Sequence, residues 1–438
     1  MARGRRAEPE TGTVRAVTHD GRGIVDGAGK KVFVAGALAG ETVTYLRRKR
    51  RRNFDEAELL DVIDASPERV APKCAAFGYC GGCALQHIGI DQQREIKEQS
   101  LRDSLERIGG VTPREWLPPL VAEPWHYRRR ARLAVKDVAN KGRVLVGFRE
   151  RHAPYVADMH RCEILAQPVD GLLDALSDLV GHLTIRARLP QIEVAVADEA
   201  TALVFRVLDD PGSADRERLV AFAADVGVQV WLQPGGPDSI VPLAPADPAP
   251  LTYRLSAFDV TIAFEPVDFV QVNGAINERM VERAIELLDV GPAQRALDLY
   301  CGIGNFSLPL ARRAAEVLGI EGEAALVERA AANAARNGIT NARFRRADLS
   351  AVDGREDWMR QSWDRLLLDP ARSGAAEVVD RLPRLGPDRV VYVSCHPATL
   401  ARDAGVIVDT HGYRLEAAGI IDMFPHTAHV ESVAVFTK

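Results

Sequence analysis

Short segments of alternating hydrophobic and polar residues dominate the first 65 positions of the chain. Five of them, separated by glycine-containing turns, predict short strands at Thr13–Val17, Gly23–Val25, Lys31–Val34, Glu41–Arg47 and Glu56–Ile63. Several short strands with turn signals between them are typical of a small antiparallel barrel. The pattern therefore predicts an OB-type β-barrel at residues 5–65.

The middle of the chain shows mixed periodicity. A helix is predicted over Asp91–Ile108, and prolines and glycines at 235–250 predict a loop. Strand-like segments are predicted at Arg130–Lys136, Arg143–Glu150, Ile192–Ala197, Ala202–Val207, Val228–Gln233 and Ala257–Phe264. We expect residues 66–265 to form a mixed α+β domain.

From about residue 266 the pattern becomes a regular alternation of strands and helices. Strands are predicted at Arg295–Leu299, Glu316–Ile320, Ala342–Ala347, Arg365–Leu368, Arg389–Ser394, Leu415–Ile421 and Ser432–Thr437. Helices are predicted at Gly274–Leu288, Phe306–Ala315, Ala324–Asn337 and Ala376–Leu385. This order is typical of a doubly wound parallel sheet, so residues 266–438 are predicted to form a Rossmann-like α/β domain. Its ligand should lie across the carboxyl ends of the strands.

Composition agrees with several globular domains and excludes other protein classes. The chain has 438 residues, of which 47% are hydrophobic and 27% charged. That length suggests about three domains, and the composition excludes a disordered or collagen-like chain. Six cysteines are too few for a disulfide framework. The N-terminus lacks the apolar core of a signal peptide, and no apolar run approaches the ~20 residues of a membrane span. We therefore expect a soluble cytoplasmic protein.

Positive charge is concentrated near the N-terminus, although the net charge is -5. Residues 1–52 hold thirteen basic side chains, including Arg3, Arg5 and Arg6, and five acidic ones. The basic run Arg47–Arg52 is predicted to lie in the connection between the last two barrel strands. Barrels of this type often bind nucleic acid from such connections, but a solvated loop would have the same composition.

A glycine-containing turn follows the first predicted strand of the α/β domain. It reads Leu-Asp-Leu-Tyr-Cys-Gly-Ile-Gly-Asn-Phe, and Gly302 and Gly304 would let the backbone approach a ligand. Glu321 ends the next strand, where a carboxylate can bind ribose hydroxyls, and Asp348 and Asp369 end the following two. An ordinary tight turn can also contain Gly-x-Gly. The three acidic strand ends favour a nucleoside cofactor, and the absence of a full GxGxxG motif favours S-adenosylmethionine over a dinucleotide.

Cys395 and Glu431 are candidate catalytic residues. Cys395 leaves a buried predicted strand at the same edge of the sheet, where a thiol can act as a nucleophile. The alternative is an inert core cysteine. Glu431 lies at the start of the last strand, where a carboxylate can serve as general base for such a nucleophile. Without a nucleophilic cysteine it would be an ordinary acid at a strand end.

Four cysteines predict a metal site. Cys74, Cys80 and Cys83 lie within ten residues, and Cys162 follows later in the chain. In a reducing compartment such a group favours metal binding over disulfides. Three-plus-one spacing is closer to a [4Fe–4S] cluster than to the paired CxxC motifs of zinc, although zinc or no metal remain alternatives.

With these motifs in place, nearly the whole chain resembles the RNA uracil-C5 methyltransferase family. The resemblance is carried by the four-cysteine spacing and by Phe269–Asn273, Leu297–Phe306, Asp369–Arg372, Ser394–Cys395 and Asp422–Ser432. Within the family the chain is most similar to the RumA type, which carries a TRAM barrel and a [4Fe–4S] cluster. The resemblance implies an S-adenosylmethionine-dependent 23S rRNA (uracil-C5)-methyltransferase of the position-1939 type. We expect a monomer that acts on a single-stranded or flipped uridine.

The resemblance also implies roles for individual residues. Cys395 would be the nucleophile and Glu431 the base. Cofactor contacts would come from Gln271, Tyr300, Asn305, Glu321, Asp348 and Asp369, and cluster ligation from Cys74, Cys80, Cys83 and Cys162. The chain departs from the family pattern at His396, where asparagine is usual, and at Tyr300, where phenylalanine is more usual. The alternatives are methylation of tRNA or of another rRNA uridine, and a non-catalytic RNA-binding protein.

Overall fold

A closed five-stranded barrel begins the described part of the chain, which comprises residues 8–27 and 29–438 of a computed structural model. Its strands are β1 (Glu10–Val17), β2 (Arg22–Asp26), β3 (Lys31–Ala35), β4 (Thr42–Arg50) and β5 (Phe54–Asp64). They are ordered β1-β2-β3-β5-β4, and β4 pairs back onto β1. Alternate valines, such as Val14, Val25 and Val43, fill the interior. The barrel confirms the predicted OB-type fold. Arg3, Arg5 and Arg6 lie outside the described residues.

The prediction that the run Arg47–Arg52 is a connection is wrong for its first four residues. β4 continues through Arg50, and only the next three residues connect it to β5. Cross-strand ion pairs explain the longer strand. Arg47 Nη1, for example, lies 2.6 Å from the buried Asp55 carboxylate on β5. The first four basic residues of the run thus lie on a strand, and the Arg47 side chain is only 14% exposed.

The described chain divides into two compact units. The first comprises the described residues up to Ser100 together with 148–157 and 424–429. The second comprises 101–147, 158–423 and 430–438. The three predicted domain ranges stay a prediction. The predicted helix at 91–108 is α1 (Ile90–Ser104), continued by a π-helical turn at Leu105–Gly109.

A six-stranded sheet in the second unit has the order β12-β11-β10-β9-β7-β8. After the short strand β6 (Glu115–Trp116), its elements are β7 (Arg130–Val138), β8 (Arg143–Gly147), α2 (Leu173–Gly181), β9 (Gln191–Val196), β10 (Thr201–Arg206), α3 (Ser213–Val226), β11 (Gln229–Gln233) and β12 (Val241–Ala244). The loop prediction for 235–250 is therefore wrong at β12. That strand contains Pro242, which is tolerated because β12 lies at the sheet edge. A hairpin of β13 (Leu251–Leu255) and β14 (Val260–Phe264) follows.

The second unit also contains an eight-stranded sheet with the order β17-β16-β15-β18-β19-β21-β20-β6. Its elements are α4 (Gly274–Leu288), β15 (Arg295–Leu299), α5 (Ser307–Ala311), β16 (Glu316–Glu321), α6 (Ala324–Arg336), β17 (Ala342–Arg346), β18 (Arg365–Leu368), α7 (Ala376–Val379), α8 (Leu382–Leu385), β19 (Arg389–Ser394), α9 (Pro397–Gly405), β20 (Arg414–Ile421) and β21 (Glu431–Thr437). The five strands from β17 to β19 are parallel, and β21 is antiparallel to both of its neighbours. The predicted Rossmann-like domain is confirmed.

One predicted helix of this domain is broken. The segment predicted as Ala376–Leu385 forms the two short helices α7 and α8. Pro383 lies in the first turn of α8, where its missing N–H cannot continue the preceding helix. Among the described residues, no helix combines the length and apolar character needed to cross a bilayer.

Candidate active site

Cys395 directly follows β19, and Glu431 begins the neighbouring strand β21. The antiparallel ladder ends at the pair Ser394 of β19 and Ser432 of β21, and the Ser432 hydroxyl donates to the Ser394 carbonyl at 3.3 Å. Cys395 and Glu431 are the next residues at this end of the ladder, and the charge of Glu431 acts on the Cys395 thiol. The strand pairing therefore brings the predicted nucleophile and the predicted base near each other.

The end of β18 adds a carboxylate and a guanidinium to this pair. β18 runs parallel to β19, with Leu368 paired to Tyr392, so Asp369 leaves the sheet beside the nucleophile strand. The charge of Asp369 raises the pKa of both Cys395 and Glu431, after the larger effect of burial, and Arg372 opposes it. Arg372 was not singled out from the sequence, although it lies within the Asp-Pro-Ala-Arg motif.

Burial dominates the protonation of this site. Glu431 is only 3% exposed, and burial together with Asp369 raises its pKa to about 8. Burial alone raises the pKa of Asp369 to about 7. The pKa of the Cys395 thiol lies above its ordinary value, first because of burial and then because of Glu431 and Asp369. The thiol therefore needs a proton acceptor to become a nucleophile, while the Glu431 pKa lies near the working pH that suits a general base.

His396 caps the helix that follows the nucleophile. Its Nδ1 accepts a hydrogen bond from the Thr399 amide at 3.4 Å, and its own amide donates to the Ser394 hydroxyl at 3.2 Å. Asparagine is among the best N-cap residues because its side-chain oxygen accepts the same kind of bond. The histidine ring thus keeps the capping function at the position where the family usually has asparagine.

The glycine turn after β15 is held by Glu321. Gly302 and Gly304 have φ values of 52° and 96°, which glycine adopts without strain. The Glu321 carboxylate accepts the Gly302 amide at 3.1 Å and the Gly322 amide at 2.6 Å. Among the described residues, no atom lies within 4 Å of where a Cβ of Gly302 would project. The turn therefore leaves open space beside a carboxylate, which fits the ribose of a nucleoside cofactor.

Asn305 ties this turn to α4. Its side-chain amide forms two reciprocal hydrogen bonds with Asn277, at 2.9 and 3.0 Å, and its oxygen also accepts the Tyr253 hydroxyl at 2.9 Å. Gln271 lines a small pocket with Asn277 and Tyr253. Gln271 thus lies at the same network as Asn305. Cofactor contact by either residue stays a prediction.

Tyr300 and Asp348 complete the set of predicted cofactor residues. Burial raises the pKa of Tyr300, and neighbouring carboxylates, among them Asp348 and Glu321, add to the effect. Asp348 is exposed two residues beyond β17, and its carboxylate accepts the Ser350 hydroxyl at 2.6 Å. The acidic side chains at the strand ends, Glu321 and Asp348, are thus close enough to Tyr300 for their charges to raise its pKa.

Asp298 is a buried acid in β15 to which the sequence assigned no role. One oxygen accepts the Ser307 hydroxyl at the start of α5, while the other has no hydrogen-bond partner among the described residues. Burial raises its pKa to about 7. Asp298 joins the strand before the glycine turn to the helix after it. The sequence signal that could have identified Asp298 is an acidic residue within an otherwise apolar strand.

The predicted cluster ligands are distributed over both units. Cys74, Cys80 and Cys83 belong to the first and Cys162 to the second. The Gly82 amide donates to Cys80 Sγ at 3.4 Å, the type of bond that tunes thiolate ligands of iron–sulfur clusters. Among the described residues, no three histidine, cysteine or acidic side chains are arranged to hold a metal ion. The donor chemistry fits a cluster, and the ligand set stays a prediction.

The chain is similar to a known protein family and to full-length relatives. The profile of the tRNA (Uracil-5-)-methyltransferase family matches residues 121–438. The 23S rRNA (uracil(1939)-C(5))-methyltransferase RlmD of Alkalilimnicola ehrlichii is 52% identical, over 98% of this chain and 97% of the relative. The protein of that name from Stenotrophomonas maltophilia is 50% identical, over 96% of each chain.

A solved structure shows the same fold. The Pyrococcus abyssi tRNA (uracil-54, C5)-methyltransferase in complex with S-adenosyl-L-homocysteine superimposes with a TM-score of 0.75. The alignment covers 98% of this chain and 100% of that chain, at 24% sequence identity. The family profile and the full-length relatives together show that the chain belongs to the tRNA (uracil-5-)-methyltransferase family.

Proposed function

We propose that this protein methylates C5 of a specific uridine in 23S rRNA, using S-adenosylmethionine and forming 5-methyluridine. The observation that carries the proposal is the pairing of β19 with β21, which brings Cys395, just after β19, near Glu431 at the start of β21. Both residues lie at the carboxyl ends of the parallel strands, where the glycine turn also lies. The full-length relatives, which are 23S rRNA (uracil(1939)-C(5))-methyltransferases by name, support 23S rRNA as the substrate and its uridine 1939 as the target. We infer that it works as a monomer in the cytoplasm, where ribosomal RNA is available.

Nucleophilic catalysis explains why a cysteine is needed. C5 of uracil is too weak a nucleophile to attack a methyl sulfonium unaided. The Cys395 thiolate adds to C6, which forms a C–S bond and places the electron pair on C5 as an enolate. S-adenosylmethionine, when bound, would supply the methyl group to C5, and S-adenosylhomocysteine would be the leaving group.

Proton removal then completes the reaction. The Glu431 carboxylate takes the proton from C5, the electron pair restores the C5–C6 double bond, and the C6–S bond breaks to release the Cys395 thiolate. Arg372 favours the ionised form of both groups, whereas Asp369 opposes it. Arg372 thus offsets part of the negative charge that a thiolate and a carboxylate would place beside Asp369.

The cofactor would be held at the carboxyl edge of the sheet. Glu321 would accept the ribose hydroxyls, with Tyr300, Asp348 and Asp369 around it and with Gln271 and Asn305 at the glycine turn. The open space beside Gly302 supports this assignment. Since the reacting base must reach a half-buried cysteine at the end of a strand, the target uridine would be unstacked or flipped.

The barrel would bind the RNA backbone. Arg50 at the end of β4 and Arg52 in the connection after it are exposed, and neither forms an ion pair within the part of the chain that the structure describes. The charge of Arg50 reaches only as far as a weak effect on the Glu10 carboxylate. Arg48, by contrast, is paired with Glu58 at 2.5 Å. Exposed cations outside ion pairs are suited to phosphate contacts.

We also infer that Cys74, Cys80, Cys83 and Cys162 hold a [4Fe–4S] cluster. Cysteine thiolates are the usual ligands of such clusters, and the Gly82 hydrogen bond to Cys80 supports a ligand role. Iron and sulfide analysis of protein purified without oxygen should give four of each per chain. Zinc in place of iron, or neither, would contradict the cluster.

Methylation of purified RNA tests the function. The protein should transfer methyl groups from S-adenosylmethionine to 23S rRNA from cells lacking the gene, and nucleoside mass spectrometry should find 5-methyluridine in one fragment. Cys395→Ala should abolish transfer and keep S-adenosylmethionine binding. Glu431→Gln should accumulate a methylated, covalent protein–RNA adduct, because proton removal precedes release of the thiolate. Methylation of tRNA instead would contradict the substrate, and turnover by Cys395→Ala would contradict the mechanism.

A further inference from the structure

Helix α9 contacts the active site at both of its ends. It begins two residues after Cys395, and near its C-terminal end it carries Asp403, which is 1% exposed. Asp403 Oδ2 accepts the Tyr392 hydroxyl at 2.7 Å and the Ala375 amide at 2.9 Å. Tyr392 lies on β19, three residues before Cys395, whereas Ala375 lies in the turn after β18. One buried carboxylate therefore joins the nucleophile strand to that turn.

Arg402 strengthens the same junction. Its Nε donates to Asp403 Oδ1 at 2.8 Å, so the buried carboxylate has a cationic partner. Its Nη2 donates to the Ser373 carbonyl at 3.0 Å. Arg402 thus donates to the backbone carbonyl of Ser373, and Asp403 accepts from the backbone amide of Ala375, so the two side chains hold the turn at two nearby points.

Gly374 shows how closely this turn is seated on the pair. It has a φ of 81°, and its amide donates to the Ala371 carbonyl at 3.0 Å. A Cβ at this position would lie 2.6 Å from Arg402 Nη2 and 2.7 Å from Asp403 Oδ2. No side chain fits between the turn and α9, so the turn backbone rests directly on the two side chains.

The turn carries the cation of the active site. Arg372 lies between Ala371 and Ser373, and its charge acts on both Cys395 and Glu431. An exposed arginine on a loose turn would occupy many positions, and its effect on a neighbouring charge falls with distance. Holding the turn relative to β19 fixes the backbone position from which Arg372 acts on Cys395.

We propose that Asp403, supported by Arg402, is a positioning residue that holds the turn at residues 371–375 against β19 and so keeps Arg372 close to Cys395. The inference rests on the proposed function, since it takes Cys395 as the nucleophile. It assigns Asp403 no contact with substrate or cofactor.

Alkylation of Cys395 tests the proposal without RNA or turnover. The full-length protein is treated with iodoacetamide over a range of pH, and labelling of the Cys395 peptide is followed by mass spectrometry. Asp403→Asn cannot accept from both Arg402 and the turn, so alkylation near neutral pH should fall about tenfold, which corresponds to roughly one unit in the thiol pKa. The control is Arg414→Ala, which removes an exposed arginine paired with Glu416 on β20 and should leave labelling unchanged.

A double variant separates positioning from a general structural role. Arg372→Ala should slow alkylation as much as Asp403→Asn does, and combining the two should add nothing, because both remove the same charge from Cys395. In folded Asp403→Asn, kcat should fall while KM for S-adenosylmethionine is kept, and Asp403→Glu should restore part of kcat. An unchanged alkylation profile in folded Asp403→Asn, or additive effects in the double variant, would overturn the proposal.

Arg402→Ala is a second variant for the same alkylation experiment, to be used if Asp403→Asn does not fold. The Arg402 side chain is 45% exposed, so its removal leaves no buried cavity. It should slow alkylation in the same direction through the lost Ser373 contact, and wild-type labelling would count against the proposal. Because labelling needs no substrate, failure of the 23S rRNA assignment would show only in the methylation experiment.

Discussion

Glu431, the proposed base, is the residue at which the proposed catalytic role and the stability of the fold conflict most clearly. Its pKa in the folded protein is about 8, because burial and Asp369 disfavour the charged form, whereas an unfolded chain holds a glutamate near its ordinary value of about 4.3. A folded pKa above the unfolded one means that the folded state binds the proton more tightly. The stabilising effect of this proton is complete below about pH 4 and is lost as pH rises towards 8.

Glu431→Gln should therefore stabilise the fold at alkaline pH while abolishing turnover. We expect a free energy of unfolding higher than wild type by on the order of 1–3 kcal/mol at pH 8, with the difference shrinking towards pH 5. Urea unfolding at the two pH values measures it. Glu416→Gln is the control with the opposite sign, because hydrogen bonds from Thr437 and Arg414 lower the Glu416 pKa. A difference that does not change with pH would contradict the burial argument.

His396 tests whether a cap, rather than a particular residue type, supports the nucleophile. His396→Asn should keep both the melting temperature and kcat, because its oxygen can accept the Thr399 amide. His396→Ala should lose about 1 kcal/mol of stability, as N-cap removal generally does, and should lower kcat. Thermal unfolding and methylation rates measure both. Equal stability and equal kcat of His396→Ala and His396→Asn would show that the His396 ring does not act as a cap of α9.

At the scale of elements, α9 depends on a close helix crossing. A Cβ on Gly109, in the π-helical turn after α1, would lie 2.5 Å from the Ala401 carbonyl oxygen on α9. Gly109→Ala should destabilise the protein by about 1–3 kcal/mol, because backbone would have to move. Gly181→Ala is the matched control, since open space surrounds that position at the end of α2. Chemical denaturation compares them, and equal stabilities would show that the crossing yields easily.

The basic end of β4 is the second element with a testable role. Arg50→Gln should weaken RNA binding and reduce the slope of log affinity against log salt by about 1, as expected when one phosphate contact is lost. Arg48→Gln makes the same charge change on the same strand, but Glu58 already neutralises that charge, so its slope should change less. Binding titrations over several salt concentrations measure both. Equal slopes for wild type and Arg50→Gln would leave β4 without a role in RNA binding.

At the scale of the whole molecule, distant parts of the chain share one unit. The amides of Ala84 and Leu85, directly after the cysteine loop, both donate to the His426 carbonyl at 2.9 and 3.0 Å. Gln93 on α1 also accepts the His426 amide at 2.9 Å. The segment 424–429, which precedes Glu431 in the chain, is thereby held by the neighbours of Cys83.

Removing iron from the proposed cluster should therefore loosen segment 424–429. Hydrogen exchange of its amides should speed up in protein stripped of iron, because the cysteine loop would no longer hold Ala84 and Leu85 in place. Strands β9 and β10, in the central sheet of the other unit, serve as the internal control. Unchanged exchange in 424–429 would show that the segment is held independently of the metal.

Several features followed from the chain alone because their causes are local. The bounds of α4, β15, β18 and β19 match their predictions. Helical periodicity marks α4, largely apolar runs mark the three strands, and each pattern ends at a polar or glycine-containing segment. The glycine turn and its acidic neighbours were visible for the same reason. Catalytic roles for Cys395 and Glu431 came from motif resemblance, which identifies residue types and leaves their geometry open.

Tertiary structure decided what depends on pairing between distant residues. β12 was not predicted because it forms only by pairing with β11 at the edge of the sheet. β4 was predicted too short because ion pairs such as Arg47–Asp55, between β4 and β5, extend it. The pairing of β19 with β21 brings Cys395 near Glu431, and the Asp403 carboxylate accepts the amide of Ala375, which lies 28 positions earlier in the sequence. A sequence pattern records the preference of each residue for a local conformation and for burial. Which buried group meets which partner is decided only when the strands and helices pack together.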